Sequence, residues 1–173
     1  LGPSPRWPID PVVRLSGMSP LEAGRHGVYD VIDVSADFLD AAEANVAGLT
    51  VEAILGYTHV LAPNGIVSLP ASIRDFPVYG LRLMATLREA LVRAGVKDPA
   101  DHVVVCRSAW SVRVLASLVS WTPERLELLR GFAEERSFDV SWRPGMDVAA
   151  AREGIFNDLP SVSLAQGTVS ASG

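Results

Sequence analysis

The sequence predicts an α/β layered domain, a mostly parallel sheet with helices packed on it and an antiparallel β-hairpin at one edge. Two observations lead there. Apolar runs of strand type alternate with runs of helical period in the order β, α, β, α, β-β, α, and a strand-helix-strand crossover makes two parallel strands with a right-handed connection. Apolar residues are 49% and charged residues 20% of the 173, with mean hydropathy +0.25, which excludes a disordered chain and suggests many residues buried on both sides. A chain of this length forms one domain that buries about two thirds of its unfolded surface.

Residues 1–11, "LGPSPRWPIDP", hold four prolines and read as an extended lead-in. "VVRL" at 12–15 reads as a short strand, and "SGMSPLEAGRHG" as a loop with one helical turn after Pro20. "YDVIDVSADF", residues 29–38, starts as a strand over 29–35 built on Val31, Ile32 and Val34, then ends among carboxylates at Asp37 and Asp40. From Thr50, a capping residue, the period becomes helical through Val51, Ile54, Leu55 and Thr58, with Leu61 on the same face. Pro63 and Gly65 in "APNG" predict a turn that stops this helix, and "IVSL" at 66–69 a strand. "RDFPVYG" reads as a loop. Leu81, Met84, Leu87, Leu91 and Ala94 mark a second helix, with Glu89 and Arg93 at i,i+4 and Gly95 as C-cap. "HVVVCR" and "VRVLASLVSW", joined by "SAWS", predict the hairpin. Thr122-Pro123-Glu124 starts a third helix whose buried face is Leu126, Leu129, Phe132 and Ala133. "FDVSW" then reads as a short strand and "DVAAAREGIF" as a short helix. The domain is expected to span 12–158, followed by an irregular tail over 159–173.

Composition narrows the function classes. Lys and Arg number 15 against 20 Asp and Glu, scattered along the chain with pI near 5.1, which disfavours a nucleic-acid footprint. One cysteine, Cys106, permits neither an internal disulfide framework nor a zinc CxxC pair, and its place in "HVVVC" predicts a buried thiol. The absence of an 18-residue apolar run and of a signal peptide predicts a cytoplasmic chain without a membrane segment. Leu1 as first residue and the polar ending "AQGTVSASG" lead to the expectation of a piece of a longer protein.

"YDVIDVSADF" followed by "LTVEAILGYTHVLAPNGIVSL" resembles the second half of the spermidine synthase fold, a branch of the S-adenosylmethionine-dependent methyltransferase superfamily. Tyr29-Asp30-Val31-Ile32 stands for that family's strand, Thr50-Val51-Glu52 for its Thr-Glu helix, and Leu61-Ala62-Pro63-Asn64-Gly65 for its Leu-Pro-Gly-Gly-like turn. "SWTPERLELLRGFAEERSFDVSWRPGMD" is similar to a segment of larger bacterial spermidine-synthase-like proteins, some of which carry membrane helices upstream. The resemblance covers about residues 12–158. It implies a Rossmann-like, class I methyltransferase-like sheet whose N-terminal strands are missing here. It also implies S-adenosylmethionine or decarboxylated S-adenosylmethionine as cofactor of the full-length protein and a small-molecule amine as acceptor. The family's glycine-rich loop has no counterpart, since no GxG occurs, so this fragment is expected to hold no cofactor and to be a divergent, inactive part of the domain. The alternative is a non-catalytic binding or dimerisation module, the soluble part of a membrane protein. A sheet that begins halfway through its topology predicts an exposed apolar edge and a homodimer.

On this resemblance Asp37, then Asp40, are the candidate catalytic residues: a carboxylate at the strand end accepts the proton of an attacking amine or orients its cation. Both also read as loop acids or a cap of "ADFLDAAEAN". Ser35, Arg74 and Tyr79 are the candidate pocket residues, because they follow strands at their carboxyl ends. No metal is expected: Asp33, Asp37, Asp40 and Glu43 lack ligand geometry, and His26, His59 and His102 lack ligand spacing. Ser35, Ser68 and Ser108 lack a GxSxG elbow, and Trp110, Trp121 and Trp142 read as packing residues.

Overall fold

A computed structural model describes residues 28–34, 47–72, 78–108, 111–147, 162–163 and 168–169. Its main sheet comprises β1 (Tyr29–Asp33), β2 (Leu61–Ser72), β3 (Val103–Arg107), β4 (Ser111–Ala116) and β5 (Asp139–Trp142) in the order β1-β2-β4-β3-β5. The helices are α1 (Val51–His59), α2 (Val78–Arg93) and α3 (Pro123–Glu135). The fold is α/β, as the alternating periods predicted. β1 and β2 pair in parallel across α1, as a crossover requires.

Two features of the sheet correct the expectation. It is mixed rather than mostly parallel, because β4 folds back between β2 and β3 and pairs antiparallel with both. The hairpin is not the edge, because "FDVSW" supplies β5, which pairs antiparallel with β3 and covers it. Among the described residues β1 has a strand on one side only, and Val28 and Val31 beside that edge are 70% and 61% exposed. Within the 159–173 tail, read as irregular, β6 (Val162–Ser163) and β7 (Thr168–Val169) pair antiparallel. "VVRL", "DVAAAREGIF" and Trp110 lie outside the described residues.

The core lies between one sheet face and the helices α1 and α2. Period-two alternation puts Val67, Leu69 and Ala71 of β2 beside Ala116, Val114 and Val112 of β4, and these pack with Ile54, Leu83, Leu87 and Leu91. Each large side chain fully buried there contributes about 1.5–3 kcal/mol. The opposite face carries Ser68, Pro70 and Ser72 beside Leu115, Arg113 and Ser111.

Local chemistry sets the element ends. Thr50 and Thr122 accept from the N–H groups of Ala53 and Arg125 at 3.1 and 3.3 Å, capping α1 and α3 as predicted. α2 begins at Val78, so the loop read as "RDFPVYG" ends earlier than expected, and Leu83 and Ala90, not Leu81 and Ala94, complete its buried stripe. β4 stops at Ala116 rather than running to Trp121, because the Ser117 hydroxyl accepts from Val119 N–H and turns the chain. "APNG" does not separate helix from strand: β2 already starts at Leu61, and residues 62–65 bulge between the Tyr29–Leu61 and Val31–Ile66 pairs. Gly65 is required there, since a Cβ would meet the Tyr29 carbonyl oxygen at 2.9 Å and Leu61 Cδ2 at 2.8 Å.

Candidate functional site

β1, β2 and β3 run in one direction, so Val34, Ser72 and Ser108 come together on their shared carboxyl edge, where β4 begins. In open α/β sheets this edge is the usual place for a ligand. Its centre is Arg113, which points from β4 across β2. The Arg113 Nη1 donates to Asp33 Oδ1 at 2.8 Å and to the Val34 carbonyl at 3.0 Å, with Ser68 Oγ at 3.4 Å. Ser68 is 8% exposed, so the guanidinium sits over a nearly dry hydroxyl and reaches a carboxylate at the rim. Beside it the Ser108 and Ser111 hydroxyls are 2.9 Å apart. Among the described residues, this part of the edge brings together the Arg113 guanidinium, the Asp33 carboxylate and the hydroxyls of Ser68, Ser108 and Ser111.

Of the residues singled out from sequence, Ser35, Asp37, Asp40 and Arg74 lie outside the described residues. The last described residues before them, Val34 and Ser72, are on this edge. Tyr79 is in the first turn of α2, not in a loop, and is 44% exposed. Asp33, considered above as a metal ligand, is paired with Arg113, and among the described residues no group of three His, Cys, Asp or Glu is arranged to hold a metal. Cys106 is half-buried in β3, and burial pushes its thiol up to about 11, so it stays protonated near neutral pH and is a poor nucleophile.

Arg113 and Ser111 were not among the candidates, and Ser68 and Ser108 were considered only as nucleophiles and set aside for want of a GxSxG elbow. The signal was present in "SVRVLA", where a long cation interrupts an apolar strand, but only the register shows that it faces Asp33.

The amino edge of the same sheet is built differently. His102 Nδ1 lies 3.0 Å from the Ser117 carbonyl; a carbonyl only accepts, so Nδ1 donates there, while Nε2 is 3.1 Å from the Ser120 hydroxyl. The Ser117 and Trp121 N–H groups donate to the His102 and Asp101 carbonyls, so this histidine fastens a turn. Arg125 lies over the Trp121 ring at 4.6 Å and donates to the Asn64 carbonyl at 3.2 Å. Trp121 is buried and Trp142 half-buried against the core, in keeping with packing roles. His59 is exposed at the end of α1.

No protein-family model and no solved structure matches the chain. Over 115 residues it is 33% identical to the phenylalanine–tRNA ligase beta subunit of Deinococcus radiodurans, a match that covers 60% of this chain and 13% of that protein. No helix among the described residues is long and apolar enough to cross a membrane.

Proposed function

We propose that this chain is the carboxyl-terminal part of a spermidine-synthase-like transferase domain, with the chemistry at the carboxyl edge of β1. One observation carries the reading: the two sequence stretches on which the resemblance rests touch in space. Tyr29 pairs with Leu61, and Gly65 lies against the Tyr29 carbonyl where a side chain would not fit. The strand, the Thr-capped helix and the Gly65 bulge thus form one unit, and Val34, the last described residue before the candidate acids, lies on the edge where such sheets bind ligands. In the full protein, S-adenosylmethionine or its decarboxylated form would supply an activated carbon beside a sulfonium. The acceptor amine would form its bond to that carbon as the carbon–sulfur bond breaks, and Asp37, with Asp40 second, would take the amine proton.

Without a GxG loop this chain by itself is not expected to bind the donor. The test is thermal unfolding of the full natural chain containing these residues, with methylthioadenosine, S-adenosylmethionine or the decarboxylated compound. A ligand at 100 times its dissociation constant adds about 2.7 kcal/mol, which moves the midpoint by several degrees. A shift with the decarboxylated compound favours aminopropyl transfer, and one with S-adenosylmethionine alone favours methyl transfer. No shift with any of them would end the transferase reading.

The partial match to a ligase subunit supports a second reading, a non-catalytic binding or dimerisation module within a larger protein. The unpaired side of β1 among the described residues suits a second copy. Sedimentation of the chain alone tests for the second copy, which both readings allow. The ligand series on the full chain distinguishes them, because this reading expects no shift with any of the three compounds, and a titration with tRNA should show no binding, given the acidic balance.

A further inference from the structure

β1 and β2 pair with Val31, Ile32 and Asp33 opposite Ile66, Val67 and Ser68, which sets Val34 opposite Leu69. In a parallel ladder such a residue donates to the carbonyl before its partner and accepts from the N–H after it. The first bond is made, from Val34 N–H to the Ser68 carbonyl at 3.0 Å. The second would come from residue 70, which is a proline and has no N–H. The Val34 carbonyl receives its hydrogen bond instead from Arg113 Nη1 at 3.0 Å. Arg113 is the residue paired with Pro70 on β4, so the replacement donor stands beside the missing one.

We propose that Arg113 is a positioning residue that substitutes for the N–H that Pro70 lacks, and so fixes the carboxyl end of β1. Its two Nη1 hydrogens divide between the Val34 carbonyl and Asp33 Oδ1, one holding the backbone and one holding the side chain just before it. An exposed ion pair alone would contribute little, the partners being 34% and 58% exposed. The bond to a main-chain carbonyl with no ladder donor is the stronger constraint. Proline at this position removes the donor that the Val34 carbonyl would have met, and the arginine supplies one from the neighbouring strand. The consequence for catalysis rests on the transferase reading; the fixed end of β1 does not.

Amide hydrogen exchange by NMR tests this, with the Val34 amide read as a ratio to the Val114 amide so that a global change in stability cancels. Arg113→Met should lower Val34 protection about tenfold relative to Val114, what a hydrogen bond from a charged group is worth. Arg113→Lys should restore part of it. In Pro70→Ala the backbone N–H returns, and adding Arg113→Met should then change the ratio much less. An unchanged ratio in Arg113→Met, or an equal loss with and without Pro70→Ala, would overturn the proposal. The altered ratio together with no ligand shift in the full chain would leave Arg113 in this role and remove only the transferase reading.

Discussion

Helices α2 and α3 end in the same motif but are held in different ways. In α2 the Val96 N–H donates to the Leu91 carbonyl and Gly95 N–H to Val92; in α3 Phe138 donates to Ala133 and Ser137 to Glu134. Both are Schellman ends with the residue after the C-cap at positive φ, +92° at Gly95 and +56° at Ser137. Their faces differ. α2 buries Gly80, Leu83, Met84, Leu87, Ala90 and Leu91, whereas α3 buries Ala133 alone and leaves Leu128 76% and Phe132 49% exposed. What holds α3 is mostly local: the Thr122 cap, Arg130 between Glu127 and Glu134, and Arg136 over the Phe132 ring, with the Arg125 bond to the Asn64 carbonyl as a tertiary tie. Because most helix stability in proteins comes from tertiary packing, α3 is the end of the molecule expected to open first.

The largest break in this contrast should come from Leu87→Ala, which empties a fully buried site between α2 and the sheet. A loss of about 2–5 kcal/mol in urea unfolding is expected; a loss below 1 kcal/mol, on the order of an exposed-site change, would mean that the core is not where α2 meets β2. Gly65→Ala comes next, because its Cβ must displace Leu61 or the Tyr29 backbone, at about 1–3 kcal/mol. The same denaturation experiment reads it, and a neutral result would show that the bulge opens without strain. Ser137→Gly should work in the opposite direction and stabilise by about 0.5–1 kcal/mol, since the residue already sits at positive φ. Its sharpest control is Gly95→Ala, expected to destabilise. Leu128→Ala should do least, within about 0.5 kcal/mol. A larger melting-temperature loss would mean that something covers that face of α3.

The contrast also shows what could be read from the chain. Leu126, Leu129, Phe132 and Ala133 have the helical spacing of a buried face, yet only Ala133 is buried, because spacing reports that a helix has an apolar side and not that a neighbour reaches it. Thr50, Thr122, Glu89–Arg93 and Gly95 were all legible, since each acts within a few residues of itself. Asp33 and Arg113 are 80 residues apart, and no local rule joins them. Pro70 stands well inside β2, and proline in a strand argues against a central position unless the side that lacks the donor is otherwise served.

The sequence by itself determined the alternation of strands and helices, the parallel crossover from β1 to β2 and the helix caps, because these depend on side-chain period and on hydrogen bonds within one turn. Tertiary structure decided that β4 lies between β2 and β3, that β5 takes the edge, and that one arginine closes the end of β1. Those outcomes depend on which strands pair and in what register, and register is set by burial across the whole sheet rather than by any one segment.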